Sequence, residues 1–466
     1  MENVSPLISV SPTQGSMSGY YAVTLTINRP EDLVDIALED VTEVFLGDVK
    51  AIELERPSIH TLRFVTQGHP VSGTVDLMLR DDAGTEAVFE DGFEFSPVRV
   101  EALTSMGAIG ASLTQGIQRG VPTDFSVRNG PAALLARQLG IYFPLPLLIP
   151  NAFREMTVED MGPAPYCNPP SLDLFQQAQA VALIEAMTTE TGRFDYALGR
   201  LTASVSTQNF AVGGTRIREL MEGPPAGELA LNFLSHLVYE PSGTITDPVM
   251  RSQVDGIESL DPTLVVCFDC LGNDLIEGMI NAEPFDLSER TSDADLAQSI
   301  EDFVGRLARL NAHVFLANLP KPNVLPFFQT KQSRLVDTGV QIDAPEYLIE
   351  LEAASVLANQ ALHRAAATYE SIHVVDIAAL ADEWLTEGVL VANESLAIEP
   401  FGGLVGLDGL HFTDVGYGLL ANAFIHEINE VFGAMVPLLD IESIRASDRE
   451  RIQLLIEQGL DVEACR

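Results

Sequence analysis

The stretch "TSMGAIGASLTQGIQRG", Thr104–Gly120, decides how the chain is read. Its first half is small and apolar, like a buried strand, and its second half opens a helix beyond the hydroxyl of Ser112. Gly107, Gly110, Gly116 and Gly120 surround that hydroxyl. Alone, the segment fits an ordinary strand-to-helix turn in which Ser112 caps the helix. The other reading makes Ser112 a nucleophile, and the rest of the sequence must choose between them.

Further apolar runs follow: "VSTQNFAV" (Val205–Val212), "TLVVCFDCLG" (Thr263–Gly272), "AHVFLANLP" (Ala312–Pro320) and "SIHVVDI" (Ser371–Ile377). Helical patterns over Ser171–Glu190, Asp293–Asn311, Pro345–Tyr369 and Asp414–Phe432 lie between and after them. Near-continuous apolar strands alternating with amphipathic helices mean a parallel sheet covered on both faces. Residues 98–437 therefore read as one α/β domain. Residues 1–97 differ in character: "YYAVTLTI", "HTLRFV" and "GTVDLML" alternate in hydropathy and are separated by Gly, Pro and Asp turns. That spacing predicts a small antiparallel sandwich. In the third segment, 438–466, "IESIRASDRERIQLLIEQ" predicts a charged amphipathic helix.

Composition excludes several classes of function. A chain of 466 residues, 46% apolar, can bury more than one core. Acidic residues outnumber basic ones 67 to 26, and a net charge of -41 repels nucleic-acid backbones and anionic lipid surfaces. No run approaches the roughly eighteen apolar residues of a membrane span, and "MENVSPLISV" has neither a basic nor an apolar leader region. Cys167, Cys267, Cys270 and Cys465 are too few for a disulfide scaffold, and no His/Cys set has zinc spacing. No metal and no cofactor is expected. On a continuous strand, Cys267 and Cys270 would stand about 10 Å apart on opposite faces, which predicts buried thiols.

In an open parallel sheet, function collects at the carboxyl ends of the strands. There the sequence places Gly110-Ala111-Ser112, then Asn209 with Gly213 and Gly214, then Gly272-Asn273-Asp274. Beyond the last strand, "LDGLHFTDVGYGLLANAF" sets Asp408 three residues before His411. Of eight histidines, His411 alone joins a carboxylate three residues earlier to surrounding glycines and a helix start. His236, His363 and His426 lie in helical patterns, and His313 and His373 open strands.

These four blocks, in this order, resemble the SGNH hydrolases, the GDSL lipases and esterases. The resemblance runs from about Val98 to Phe432 and implies a flavodoxin-like three-layer α/β/α sandwich. It implies Ser112 as nucleophile, His411 as general base and Asp408 as the group that orients the imidazole. The oxyanion hole would be the backbone N–H groups of Ser112 and Gly214 with the side-chain amide of Asn273. Gly214 is preferred to Gly213 because it lies five residues beyond Asn209, as in the family's second block. Ala111 departs from the pattern, since the family usually has an aspartate there; that aspartate is not a triad member, so the chemistry survives in principle, and what the departure puts in question is the set of hydrogen bonds it would make around the site.

The chemistry asks for the same residue types independently. A serine hydroxyl needs a base within hydrogen-bond reach, and neutral histidine serves near neutral pH. A carboxylate three residues away can fix the tautomer of the ring. Developing negative charge needs donors already in place.

The first 97 residues resemble IPT/TIG domains, which are immunoglobulin-like sandwiches. The matching features are Ser11-Pro12 followed by Gly15, the Phe45-Leu46-Gly47 turn and the closing Gly92-Phe93-Glu94-Phe95 strand. Such modules usually mediate contacts of surface or extracellular proteins. The resemblance therefore implies a surface or polysaccharide contact, and an extracellular or cell-surface location with the leader absent from this chain; the cytoplasm is the alternative.

Two proline-broken apolar loops, "YFPLPLLIP" (Tyr142–Pro150) and "NVLPFF" (Asn323–Phe328), offer Leu147, Leu325, Phe327 and Phe328 as an acyl-binding wall or as loop anchors tucked into the core. The reading is a serine esterase for lipid or other acyl esters. The same machinery would serve polysaccharide deacetylation, thioesters or acyl transfer, and a non-catalytic surface-binding protein is the alternative of a different class.

Overall fold

Alternation of buried and exposed side chains builds the first part of the chain. The computed structural model describes residues 8–28, 36–149, 153–161, 199–201, 206–225, 234–235, 237–239, 252–281, 290–328, 344–399 and 401–461. They fall into two compact units, Met1–Ser105 with Ala136–Pro144, and Met106–Leu135 with Leu145–Arg466.

Among the described residues the first unit has nine strands: β1 (Ile8–Ser11), β2 (Gln14–Ser16), β3 (Ala22–Ile27), β4 (Val41–Leu46), β5 (Val49–Lys50), β6 (Ile52–Ser58), β7 (Thr61–Val65), β8 (Gly73–Asp81) and β9 (Glu86–Ser96). One sheet runs β1-β3-β7-β6 and the other β2-β9-β8-β4-β5; every pairing is antiparallel except β2 with β9. The chain changes sheets at the cis Ser11-Pro12 bond, between strands, where proline removes no ladder donor. Every second residue points inward: Val23, Leu25 and Ile27 on β3 and Leu62 and Phe64 on β7 meet Val44, Leu77, Phe93 and Phe95 of the other sheet in one core. Leu25 is fully buried there. Its replacement by alanine is expected to cost roughly 2–5 kcal/mol. In denaturant unfolding followed separately for each unit, Leu25→Ala should lower the first unit's midpoint alone and Leu307→Ala, in the second core, the other alone. A common shift would mean that the two cores unfold together.

The second unit carries a parallel sheet of β10 (Met106–Ala108), β11 (Leu264–Cys267), β12 (His313–Ala317) and β13 (Ile372–Val375), in that order. On the other side of β10, Asn209 forms a parallel bridge with Ala108. Ala108 N–H donates to Gln208 O at 2.9 Å, and Phe210 N–H donates to Ala108 O at 2.8 Å. The spatial order is therefore second, first, third, fourth, fifth, the flavodoxin-like order, whose switch point lies beside β10. Of the run Val205–Val212, Val205 lies outside the described residues and the remainder contributes this bridge.

Alternate sheet residues face opposite helical layers. Val265, Val314 and Leu316 join a core with Ile257, Phe303 and Leu362 from helices Gln253–Leu260, Asp293–Leu307 and Ala344–Ala366. On the opposite face, helix Asp414–Phe432 sets Phe432 edge-on to His313 at 4.7 Å, and Phe315 stacks on His373 at 4.6 Å. Side-chain caps start three of these helices: Ser252 accepts from Asp255 N–H, Ser292 from Asp295 N–H and Thr413 from Gly416 N–H. The helix read over Ser171–Glu190 lies outside the described residues.

Two local expectations are corrected. Cys267 and Cys270 form a disulfide, with Cα atoms 6.0 Å apart. β11 ends at Cys267, so Cys270 stands beyond the strand, where the chain has turned and brings the sulfurs within reach. Cys167 and Cys465 lie outside the described residues. The C-terminal amphipathic pattern forms two short helices, Ile441–Ser447 and Ile452–Glu457, separated at Asp448–Arg451. Among the described residues no helix is long and apolar enough to cross a membrane.

Candidate active site

β10 delivers the chain to Gly110, whose φ of +143° lies in the region that favours glycine. A Cβ here would come within 2.4 Å of Thr114 Oγ1 and 2.7 Å of Asp269 Oδ1. The four-residue helix α1, Ser112–Gln115, follows. Its N-cap is Ala111, which supplies no side-chain bond, and Ser112 is the first helical residue, so the serine is not a cap. The α1 backbone is held by Asp269 from the end of β11. Asp269 Oδ1 accepts from Ala111 N–H at 2.9 Å, Thr114 N–H at 3.2 Å and the Thr114 hydroxyl at 2.6 Å, while Oδ2 accepts from Leu113 N–H at 2.6 Å. Burial pushes the Asp269 carboxyl above its ordinary range, against the pull of these donors. Gln253 pairs with Gly110 through both its amide oxygen and its amide nitrogen. Among the described residues, Ser112 N–H and Oγ have no hydrogen-bond partner.

The second and third blocks meet around this turn. Asn209 Nδ2 donates to Thr114 O at 3.1 Å, and Gly213 N–H donates to Gln115 Oε1 at 2.8 Å. Gly214 has φ +86° with open space where a Cβ would stand, and its N–H has no partner among the described residues. Asn273 Nδ2 donates to Thr215 O at 3.0 Å, which leaves its second amide hydrogen available. Asp274 accepts from Ile217 N–H and the Thr291 hydroxyl, both at 2.8 Å. This pair therefore fastens the Gly213–Ile217 turn to the end of β11.

Asp408 and His411 are joined in the fourth block, with Asp408 Oδ2 2.7 Å from His411 Nδ1. Oδ2 also accepts from Gly120 N–H at 2.7 Å, and Oδ1 accepts from Leu410 N–H at 2.9 Å and His411 N–H at 2.8 Å. Burial would raise the Asp408 carboxyl, but the His411 ring and the backbone donors outweigh it and hold it below the usual range. An ionised carboxylate only accepts, so Nδ1 carries the hydrogen and Nε2 is left as the basic nitrogen. Gln118 Nε2 donates to Asp414 Oδ1 at 2.8 Å, and Tyr417 Oη donates to Ile117 O, so the segment after the serine turn is bound to the start of helix Asp414–Phe432. Leu410 and Phe412, on either side of His411, line one pocket with Ser112 and Asn273. Among the described residues no hydrogen bond joins Ser112 Oγ to His411.

That pocket has a cavity volume of about 90 Å³. Leu271, Ile276, Leu319, Val324, Leu325 and Phe328 give it an apolar wall. Of the four residues singled out in the proline-broken loops, Leu325 and Phe328 line it. Phe327 is packed in the core and its N–H donates to Gly409 O at 2.9 Å; Leu147 is fully buried where its carbonyl accepts from Leu201 N–H at 2.9 Å. Among the described residues no group of three or more His, Cys, Asp or Glu side chains could hold a metal.

Beneath the histidine loop lies support that the charged run "SDRER" did not reveal. Arg119 Nε is bonded to Glu450 Oε1, and Glu450 Oε2 accepts from Leu407 N–H at 3.2 Å. Asp448 accepts from Glu450 N–H at 2.8 Å and Val415 N–H at 3.4 Å. Arg119→Ala would leave Glu450 buried and unpaired, and is expected to lower unfolding free energy by roughly 3–5 kcal/mol in a denaturant titration. Burial, with Asp414 and Glu450 nearby, pushes Asp448 up to about 7 against the opposing pull of Arg445. A carboxyl raised on folding binds more protons when folded, so stability falls as pH rises from the ordinary carboxylate range through about 7. Asp448→Asn should flatten that part of the profile of unfolding midpoint against pH, and an unchanged slope would count against the assignment.

The family model for GDSL-like lipases/acylhydrolases matches residues 106–424. The chain belongs to this family and is an ester hydrolase. Among solved structures it is similar to LAE5, an alpha/beta hydrolase enzyme from the metagenome of Lake Arreo, Spain, at 14% identity and a TM-score of 0.34, covering 71% of this chain and 97% of that one. A polysaccharide lyase matches at 11% identity and a TM-score of 0.14, covering 97% of this chain and 57% of the lyase. No curated protein matches the sequence.

Proposed function

We propose that the protein hydrolyses carboxylic esters with apolar acyl groups through an acyl-enzyme on Ser112. The observation that carries this reading is a serine with an unpartnered N–H at an apolar pocket whose walls also hold Asn273 and the neighbours of a buried Asp408–His411 pair. In the first step Ser112 Oγ attacks the ester carbonyl carbon as His411 Nε2 takes the hydroxyl proton. Asp408 holds the ring by its Nδ1–H and stabilises the imidazolium that forms. The carbonyl oxygen, now negative, accepts from the N–H groups of Ser112 and Gly214 and the free amide hydrogen of Asn273. Collapse breaks the ester C–O bond, and His411 returns its proton to the departing alcohol. Water, deprotonated by His411, then attacks the acyl carbon, the bond to Ser112 Oγ breaks, and His411 returns the proton to Oγ as the acid leaves. The wall formed by Leu325 and Phe328 receives the acyl chain, each buried methylene contributing about 0.8 kcal/mol. On its resemblance to IPT/TIG domains, the N-terminal sandwich serves as a surface-contact or polysaccharide-contact module of an extracellular enzyme.

Ser112→Ala should abolish covalent labelling by an organophosphate and reduce ester turnover by several orders of magnitude; a folded variant that is still labelled would rule out the mechanism. Asn273→Ala should lose roughly a hundredfold to a thousandfold in kcat, the effect of deleting one oxyanion donor. Phe328→Ser should reduce kcat/KM for long-chain esters far more than for acetyl esters, and equal losses on both would remove Phe328 from the acyl wall.

A further inference from the structure

The serine turn does not hold itself in place. Helix α1 is a single turn, too short to be stable alone, and the first N–H groups of any helix lack internal partners. Ala111 contributes no side-chain acceptor, and the load falls on one carboxylate from the neighbouring strand. We infer that Asp269 is the positioning residue of the nucleophile: by binding the N–H groups of Ala111, Leu113 and Thr114 but not that of Ser112, it aims Ser112 N–H and Oγ at the pocket.

Both oxygens are committed. Oδ1 takes three donors and Oδ2 one, at 2.6–3.2 Å. The Thr114 hydroxyl gives its hydrogen to Asp269 and accepts from Phe268 N–H at 2.9 Å, so its orientation is fixed from both sides. Gly110 lets the carboxylate approach, since a Cβ there would crowd Oδ1 at 2.7 Å. An asparagine at position 269 fills the same volume, yet whichever way its amide turns, an NH2 group faces a backbone N–H. The turn would then relax, and the Ser112 N–H would leave the direction in which the developing oxyanion needs it.

This inference rests on Ser112 being the nucleophile, and the experiment separates the two claims. Steady-state kinetics on a chromogenic acetyl ester, the rate of organophosphate inactivation and the unfolding midpoint are measured for full-length wild type, Asp269→Asn, Thr114→Val, Ser112→Ala and Val304→Ala. Asp269→Asn should lower kcat by about tenfold to a hundredfold, the scale of an ångström-sized misplacement, and slow inactivation by the same factor. Its KM should stay within about twofold of wild type. Thr114→Val, which keeps the carboxylate and removes one donor, should lower kcat less with KM unchanged, and it serves as the deciding variant if Asp269→Asn does not fold. Val304→Ala, in the core away from the turn, should lower the unfolding midpoint while kcat is unchanged. Wild-type kcat per folded molecule in Asp269→Asn, or a loss carried by KM alone, would overturn the inference; so would wild-type kcat in Thr114→Val. Labelling that persists in Ser112→Ala would instead remove the nucleophile assignment on which the inference stands.

Discussion

Four hydrogen bonds converge on the Asp408 carboxylate, and the geometry around His411 depends on them. Three come from its own loop and the fourth from Gly120, eight residues beyond Ser112. One buried anion thus fixes the ring's orientation, selects its tautomer and fastens the histidine loop to the segment that follows the serine. Desolvating a carboxylate is expensive, and the cost is met only because every donor is in place. The loop is in turn braced by Glu450, which reaches Leu407 and Arg119 from the C-terminal segment. That segment is part of the frame of the site.

Buried or half-buried carboxylates recur at each junction. Asp269 ties the serine turn to the end of β11, Asp274 ties the Gly213–Ile217 turn to the same strand end, and Asp448 receives the start of the last long helix. Each accepts from a backbone N–H that would otherwise be unpaired. The acidic composition is thus not confined to the solvated surface. Several acids act inside as acceptors for loop backbones, which is how loops at the end of a parallel sheet are held to a fixed geometry.

Against this polar frame the pocket is almost entirely apolar. The chain supplies its wall from the loops after β11 and β12, and Asn273 follows β11 on the first of them. Polar and apolar lining residues are separated by a few positions along the chain. Gly272 and Asn273 follow immediately on Leu271, and Leu325 precedes Phe328 at the far wall.

The sequence by itself determined the class of the fold and the four blocks. Continuous apolar strands alternating with amphipathic helices leave little choice but a covered parallel sheet, and such a sheet collects polar residues at one edge. Asp408 and His411 were legible because they are three residues apart on one loop. Ser112 stands out as a candidate only as one member of an ordered set. What tertiary structure decided were the contacts between residues distant in sequence. Asp269 stands more than 150 positions from the turn that it supports, and Glu450 more than 300 from Arg119. The Cys267–Cys270 pairing depended on the strand ending at Cys267, and Phe328, buried in the same core as Phe327, also borders the pocket only because of how the loop packs. Periodicity and spacing report local geometry, whereas these contacts exist only after the strands have taken their order in the sheet.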